Sequence, residues 1–582
     1  MKSEHLRIYK TVHTWTGIVC GMALFIAFYA GALTVFKQPL QRWASSAVVQ
    51  PTLPLEAVQP LIVRTLAAAP EARRDFTVWL HDDALTGARA AQAWLGWQVH
   101  DEAADEHDSA AVRHRTATLD ATGAVQVQAL PPSQVSPLAD VIDTLHRVLG
   151  LPTDSDPHRW IMGVVSALYA LALFSGVVVL LPTLVKDLFA LRVGPNLKRM
   201  WLDAHNVVGL FSLPFHLVMA LTAVVFAFHD PIYGLQDDLI HQGRWASAFA
   251  RGGAPARATA PRDPAALLPP ARLLALARQQ APGLAPEALQ YLAVTTPRAA
   301  VRVWGRDPAA VSPRARGGFL ALDPYSGRVL STDFLPGRQS PANQWIASFF
   351  ALHMAAFGGS EVAWLYFVLA LAGAWLFYSG NLLWVESRRK RAPRGQGTAV
   401  GQRRDVRLMA AATVGVCLGC VCGISLMLAA TRGLHGRVAD PLAWHHALYY
   451  GAFFGALAWA FWRGAARAAV ELLWAAAALT AAIPLGSWAA PALWGGRSPA
   501  EGGEVWGGVE LTAWVGALVL AGLAHAAARR ARTGPADSVW SWRTEPVLRP
   551  AATSPATPPA MPPAAIAAAP SRALAAGSPA EP

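Results

Sequence analysis

"DAHNVVGLFSLPFHLVMALTAVVFAFHD", residues 203–230, decides how this chain is read. It is apolar enough to lie in a bilayer, yet it carries His205, His216 and His229. An imidazole at membrane depth is costly unless a partner or a function holds it there. The chain around it fits that setting: of 582 residues, 54% are hydrophobic and 15% charged, and the mean hydropathy is +0.30.

Runs near or above the length that crosses a membrane lie at 14–36, 160–182, 204–228, 362–385, 408–430, 443–462, 468–490 and 509–528. They predict a polytopic α-helical membrane protein of about eight spans. The first run reads as an anchor rather than a cleaved signal, because its core is long and no small-x-small site precedes Lys37. Basic residues occupy every second loop, from Lys2, Arg7 and Lys10 to Arg529, Arg530 and Arg532. That pattern predicts cytoplasmic termini. The net charge of +12 then marks cytoplasmic edges and calls for no nucleic acid.

Two long segments, about 38–156 and 230–345, fall on the far side as two periplasmic domains. Neither holds a cysteine: Cys20, Cys417, Cys420 and Cys422 all lie in spans. Cys417 and Cys420 share a helix face, but small buried thiols explain them better than a metal site. The tail from about 533 is rich in Pro, Ala and Ser and predicts disorder.

The chain repeats itself. "HRTATLDATGAVQVQAL" and "RGGFLALDPYSGRVLST" each read as a strand, a turn begun by Asp120 or Asp323, and a second strand. The two aspartates are taken as turn formers rather than metal ligands. Helix-like stretches lie upstream, "LEAVQPLIVRTLAAA" and "PPARLLALARQQAPG", and amphipathic ones downstream, "SPLADVIDTLHRVLG" and "SPANQWIASFFALHMAAFGG". His13 in "HTWTG" opens span one as His205 in "HNVVG" opens span three, while His146 and His353 precede spans two and four. The unit is therefore histidine, span, α+β domain, histidine, span, occurring twice within residues 1–390. Spans five to eight do not continue it.

A histidine one turn before a glycine suits a porphyrin, since the glycine shares its face and leaves room for a flat ring. By depth, His13 and His205 form one candidate pair of haem ligands and His146 and His353 a second. His216 follows His205 by eleven residues, an advance of about 16 Å along a straight helix onto nearly the same face. It either serves the outer haem or lines the space between the two. His158 and His229 read as interfacial, and His445, His446 and His525 are assigned no role. Most of the 23 tryptophans read as an interfacial belt.

With these residues in hand, the chain resembles the PepSY-associated transmembrane helix family, an inner-membrane group that includes di-haem ferric-siderophore reductases. The likeness rests on "HTWTG", "LHRVLG", "DAHNVVG", "LHMAAFGG" and the two hairpins from Leu119 and Leu322, over roughly residues 1–390. It implies a four-span core with two b-type haems, ligated by His13 with His205 and His146 with His353, with His216 as the substitute. It also implies outward electron transfer to a ferric chelate. The loops are too short for a nucleotide-binding domain, and no G-x-G-x-x-G follows a strand. Quinol or a separate reductase is therefore the expected donor. Two other readings stay open: a non-enzymatic protein whose PepSY-like domains bind a periplasmic partner, and a transporter with His216 as a proton or metal relay.

Overall fold

The computed structural model describes residues 3–45, 53–82, 89–100, 112–120, 122–129, 136–187, 197–241, 261–307, 309–312, 317–390, 401–434, 437–494 and 507–542. The repeat is visible in its architecture. The first half runs α1 (Ser3–Thr34), α2 (Lys37–Ala44), β1 (Leu53–Pro54), α3 (Val58–Ala68), β2 (Asp75–Asp82), β3 (Arg89–His100), β4 (Val112–Leu119), β5 (Val125–Ala129), α4 (Leu138–Arg147) and α5 (Asp156–Leu180). After a short α6 (Leu184–Asp187), the second half runs α7 (Leu197–Phe211), α8 (Leu213–Ala227), α9 (His229–Gln236), α10 (Pro270–Gln280), β6 (Ala285–Leu292), β7 (Ala300–Arg306), β8 (Gly318–Leu322), β9 (Val329–Ser331), α11 (Pro341–Met354) and α12 (Gly359–Ser387). Four more helices follow: α13 (Arg404–Leu434), α14 (Pro441–Arg463), α15 (Ala465–Trp494) and α16 (Gly508–Thr533).

The two segments expected as separate domains share one antiparallel sheet, in the order β5-β4-β3-β2-β6-β7-β8-β9, with β1 beside β3. The halves meet where β2 pairs with β6. Helices α3 and α10 end alike, at Ala69-Pro70 and Ala281-Pro282. Counted from those points, Thr77 corresponds to Leu289 and Val78 to Gln290. The ladder pairs Thr77 with Gln290 and Val78 with Leu289, so exchanging the halves exchanges the two pairs. The junction is a pseudo-two-fold axis. One apolar core runs beneath it, from Leu55 in the first half to Leu335 in the second. At the junction the rings of Phe76 and Tyr291 stack with centroids 4.6 Å apart, both fully buried.

The hairpin aspartates do fold turns. Asp120 accepts from the backbone N–H groups of Thr122 and Ala124, and Asp323 from those of Tyr325 and Ser326. Asp323 also meets Arg262 at 2.9 Å. Burial pushes its carboxyl up, but the Ser326 N–H, the guanidinium and the Tyr325 N–H outweigh it and hold the group below its ordinary value.

Among the described residues, six helices are long and apolar enough to cross a membrane, or seven if one bent pair counts as a single span. The bent pair is the stretch read as a straight span three. Its halves, Lys198–Phe211 and Leu213–Ala227, meet at 69°. Pro214 is the cause: it has no N–H for the carbonyl four residues back, and its ring crowds that carbonyl. The straight 16 Å advance from His205 to His216 therefore does not hold. The expected sixth span is a helix, α14, but not among the six, because its two histidines, two tyrosines and three tryptophans lower its hydropathy.

In the first bundle α1 is central, packed on α4, α5 and α12, while α7 lies on α12 and α8 on α5. Helix α13 is the buried centre of the second bundle, which joins the first through α1, α4 and α12. Contacts that tie the junction include Trp43, which donates to Glu510 at 2.6 Å, and the Tyr450 hydroxyl, which donates to the Gly150 carbonyl at 2.9 Å. The expected disorder from 533 is corrected in part. Residues 534–542 fold back on the bundle because Val539 and Trp540 reach an apolar cluster with Trp384 and Val406, and Asp537 pairs with Arg389. The remainder of that tail, 543–582, lies outside the described residues.

Because the two halves share one core, Phe76→Ala, costing about 3–5 kcal/mol, should lower a single melting transition. Limited proteolysis during heating should then find both halves opening at the same temperature. A depressed carboxylate stabilises above its unfolded value and loses that contribution as pH falls, here below about 4. Asp323→Asn should flatten the acid limb of the stability profile in a melting series.

Candidate functional site

The four repeat histidines come together as two pairs inside the first bundle. The rings of His13 on α1 and His205 on α7 have centroids 6.4 Å apart. Those of His146 on α4 and His353 on α11 are 6.1 Å apart. Two imidazoles bound to opposite sides of one metal, each nitrogen at about 2.0–2.1 Å with the ring centre about 1.1 Å beyond, would stand about 6 Å apart. Both pairs have that spacing.

Each ring is fixed through Nδ1. His13 is 2.8 Å from the Ala172 carbonyl and His146 is 2.8 Å from the Ala27 carbonyl. A carbonyl only accepts, so both Nδ1 atoms carry the proton. His205 lies 2.9 Å from Ser379 Oγ, and His353 lies 2.7 Å from Thr222 Oγ1. Both hydroxyls donate within their own helices, Ser379 to the Leu376 carbonyl and Thr222 to the Val218 carbonyl. They are therefore free to accept from the histidines. His13 and His146 therefore hold the neutral tautomer with the lone pair on Nε2, the form in which imidazole binds a metal, and the hydroxyls at His205 and His353 are placed to support the same one.

The repeat explains this symmetry. Ala172 and Leu376 each stand four residues before a Ser-Gly glycine, Gly176 in "FSG" and Gly380 in "YSG". Ala27 and Met219 each stand fourteen residues after the histidine that opens their span. In the first half the carbonyl receives the histidine directly. In the second a hydroxyl intervenes, Ser379 to Leu376 and Thr222, through a longer bond, to Met219.

Glycines let the rings reach these anchors. A Cβ on Gly176 would stand 2.9 Å from the His13 ring, and one on Gly31 would stand 2.8 Å from Nδ1 of His146. The helices that carry His146 and His353 end in left-handed turns, with φ 60° at Leu149 and 51° at Ala355. In both, an N–H reaches five residues back, Gly150 to Leu145 and Ala356 to Ala351. That turn sends the chain straight into spans two and four.

Beside Gly17, one turn after His13, nothing lies within 4 Å of where a Cβ would stand. No group of three or more His, Cys, Asp or Glu gathers as a site for a bare ion among the described residues. Two imidazoles are too few for a bare ion. They suffice for a metal that brings four equatorial nitrogens of its own, as in a porphyrin.

Among the described residues, the other candidate histidines form no comparable ring pair, although His216 is near enough to His205 to act on its charge. His216 is fully buried and faces no second histidine ring; its Nδ1 is 2.5 Å from the Tyr169 hydroxyl. His158 bonds the Thr153 carbonyl and His229 the Phe226 carbonyl, both local contacts at helix ends. His445 is buried on α14, and His446 lies beside Tyr450. The four cysteines are free and buried. Sequence reasoning missed Ser379, Thr222 and the anchoring carbonyls, although the "FSG" and "YSG" pair in spans two and four was there as a signal.

The fold and the paired histidines define a multi-pass membrane protein whose first helical bundle is an internal duplication that shares a single sheet. It belongs to the family described as the PepSY-associated TM region, which matches residues 10–387. The match ends with α12, so the second bundle lies outside it. No curated protein matches the chain.

Gly31→Ala should overpack the His146 ring and cost about 1–3 kcal/mol. Gly17→Ala, on the same helix with open space beside it, should be neutral or stabilising. Paired thermal melts check both, and equal behaviour would contradict the packing described.

Proposed function

We propose that the chain is a haem-containing reductase of the bacterial inner membrane that carries electrons outward to a ferric chelate such as a ferric siderophore. Its termini would lie in the cytoplasm and its sheet in the periplasm, as the basic loops indicate. One observation carries the reading: two histidine pairs, one at each end of α1, each with the ring spacing of two ligands on one metal and each ring anchored through Nδ1. His13 and His205 would hold the cytoplasmic-side haem, and His146 and His353 the periplasmic-side one. Bound there, two b-type haems would supply one-electron carriers suited to electron transfer rather than oxygen chemistry.

The chain's own residues do the positioning. The Nδ1 bonds orient each ring and raise the basicity of Nε2. Gly17 keeps open the face on which a flat ring would rest. The acceptor is a substrate, not a resident group: one electron converts ferric to ferrous iron, which hard oxygen donors hold far less tightly, so reduction releases it for uptake. Quinol or a separate reductase would supply that electron on the cytoplasmic side.

The test is a reduced-minus-oxidised spectrum of the purified protein with haem counted per chain. A sharp b-type band at about two haems per chain is expected. Substituting alanine at both His13 and His205 should remove one haem and keep the other. Ser379→Ala and Thr222→Val should each weaken retention of one haem by about 10–100-fold. A colourless protein from haem-replete cells would sink the proposal.

A further inference from the structure

His216 has no counterpart in the repeat. It stands eleven residues after His205, and the residue eleven after His13 is Leu24. Its surroundings break the symmetry in the same way. Tyr169 and Gly373 occupy matching places, each seven residues before a Ser-Gly glycine. Tyr169 supplies the hydroxyl at Nδ1, and Gly373 supplies the space, since a Cβ there would stand 2.9 Å from the His216 ring. The second half thus builds a seat for an imidazole where the first half has leucine. The ring is 0% exposed, and its Nε2 has no hydrogen-bond partner. Buried polar atoms of that kind are costly in hydrocarbon and call for an explanation.

The location offers one. Phe28 lies 5.6 Å from His216, 5.1 Å from Phe377 and 5.7 Å from Tyr169, centroid to centroid. Tyr169 and Phe377 are 5.5 Å apart. Phe28 follows Ala27, the anchor of His146. Phe377 follows Leu376, behind Ser379 and His205, and Tyr169 is one turn from Ala172, the anchor of His13. The ring cluster thus runs from the supports of one histidine pair to those of the other, with His216 inside it.

We infer that His216, held by Tyr169, is a positioning residue for electron transfer between the two paired sites and not an axial ligand. The inference rests on the proposed reductase reading. The His216 ring fills space between the two pairs with packed protein, joining the aromatic cluster of Phe28, Tyr169 and Phe377. In the step itself one electron leaves the cytoplasmic-side site and arrives at the periplasmic-side site. No bond forms or breaks, and Tyr169 and His216 keep the protons they began with.

The test mixes pre-reduced holoprotein with ferric acetohydroxamate in a stopped-flow. Two phases are expected, oxidation of the periplasmic-side site and then of the cytoplasmic-side site through it. His216→Leu should slow the second phase by about tenfold, leave the first alone and leave the haem count unchanged. Tyr169→Phe, which removes only a hydroxyl, should slow the second phase to a smaller degree. In the haem-free chain, melting of the two variants and the double variant should be non-additive, as for partners in one hydrogen bond.

Loss of one haem in His216→Leu would make His216 a ligand and overturn the inference. So would a second phase indifferent to both variants in a protein that holds two haems. A wild-type protein without haem would overturn the reductase reading first, and this inference with it.

Discussion

The rest of the core depends on where an imidazole packed between helices can put its proton. Water is not at hand at membrane depth, so each Nδ1 must give its hydrogen to the protein. Helices have already committed most of their carbonyls to their own ladders. The first half shares a carbonyl that still accepts at a second lone pair, at Ala27 and Ala172. The second half inserts a serine or threonine hydroxyl. Each solution fixes a helix against its neighbour at one depth and one rotation. Helix packing, ring orientation and the spacing within the pairs follow from four hydrogen bonds.

Much of the site was legible because the repeat multiplied weak signals. One "HTWTG" says little, but its echo in "HNVVG", with Leu-His before the next span in both halves, brings four residues into register. Other features were less legible for identifiable reasons. The kink at Ser212 was written in Pro214, yet a single proline is outvoted by the apolar run around it. The merging of two domains into one sheet was not local information at all. It depends on β2 meeting β6 more than two hundred residues away, and the strands look alike whether they pair with each other or with solvent. The fold-back of residues 534–542 hinges on a few large side chains within a segment whose overall composition suggested disorder.

The second bundle joins the first near His146, through Tyr450 at Gly150, and near the base of α2, through Glu510 at Trp43. Arg432 lies over the Trp43 ring as well. These contacts brace α4 and the start of the sheet domain from the side. At the other end of α1 the bundle reaches the supports of the second pair as well, with Ile18 and Trp384 packed on Val414 and Trp540, and Arg530 over the Trp201 ring of α7.

The junction between β2 and β6 has a further consequence. Two identical half-length chains, each ending its sheet at the strand that β2 and β6 both represent, would pair along that edge in the same antiparallel way and close as a two-fold dimer. Fusing the genes end to end would turn that dimer interface into the middle of a single sheet without moving a strand. Once the halves were covalently joined, selection on their sequences was no longer obliged to treat them equally. A leucine could remain a leucine on one side while its twin became a histidine on the other. Asymmetry of that sort is unavailable to a homodimer, where every substitution appears twice.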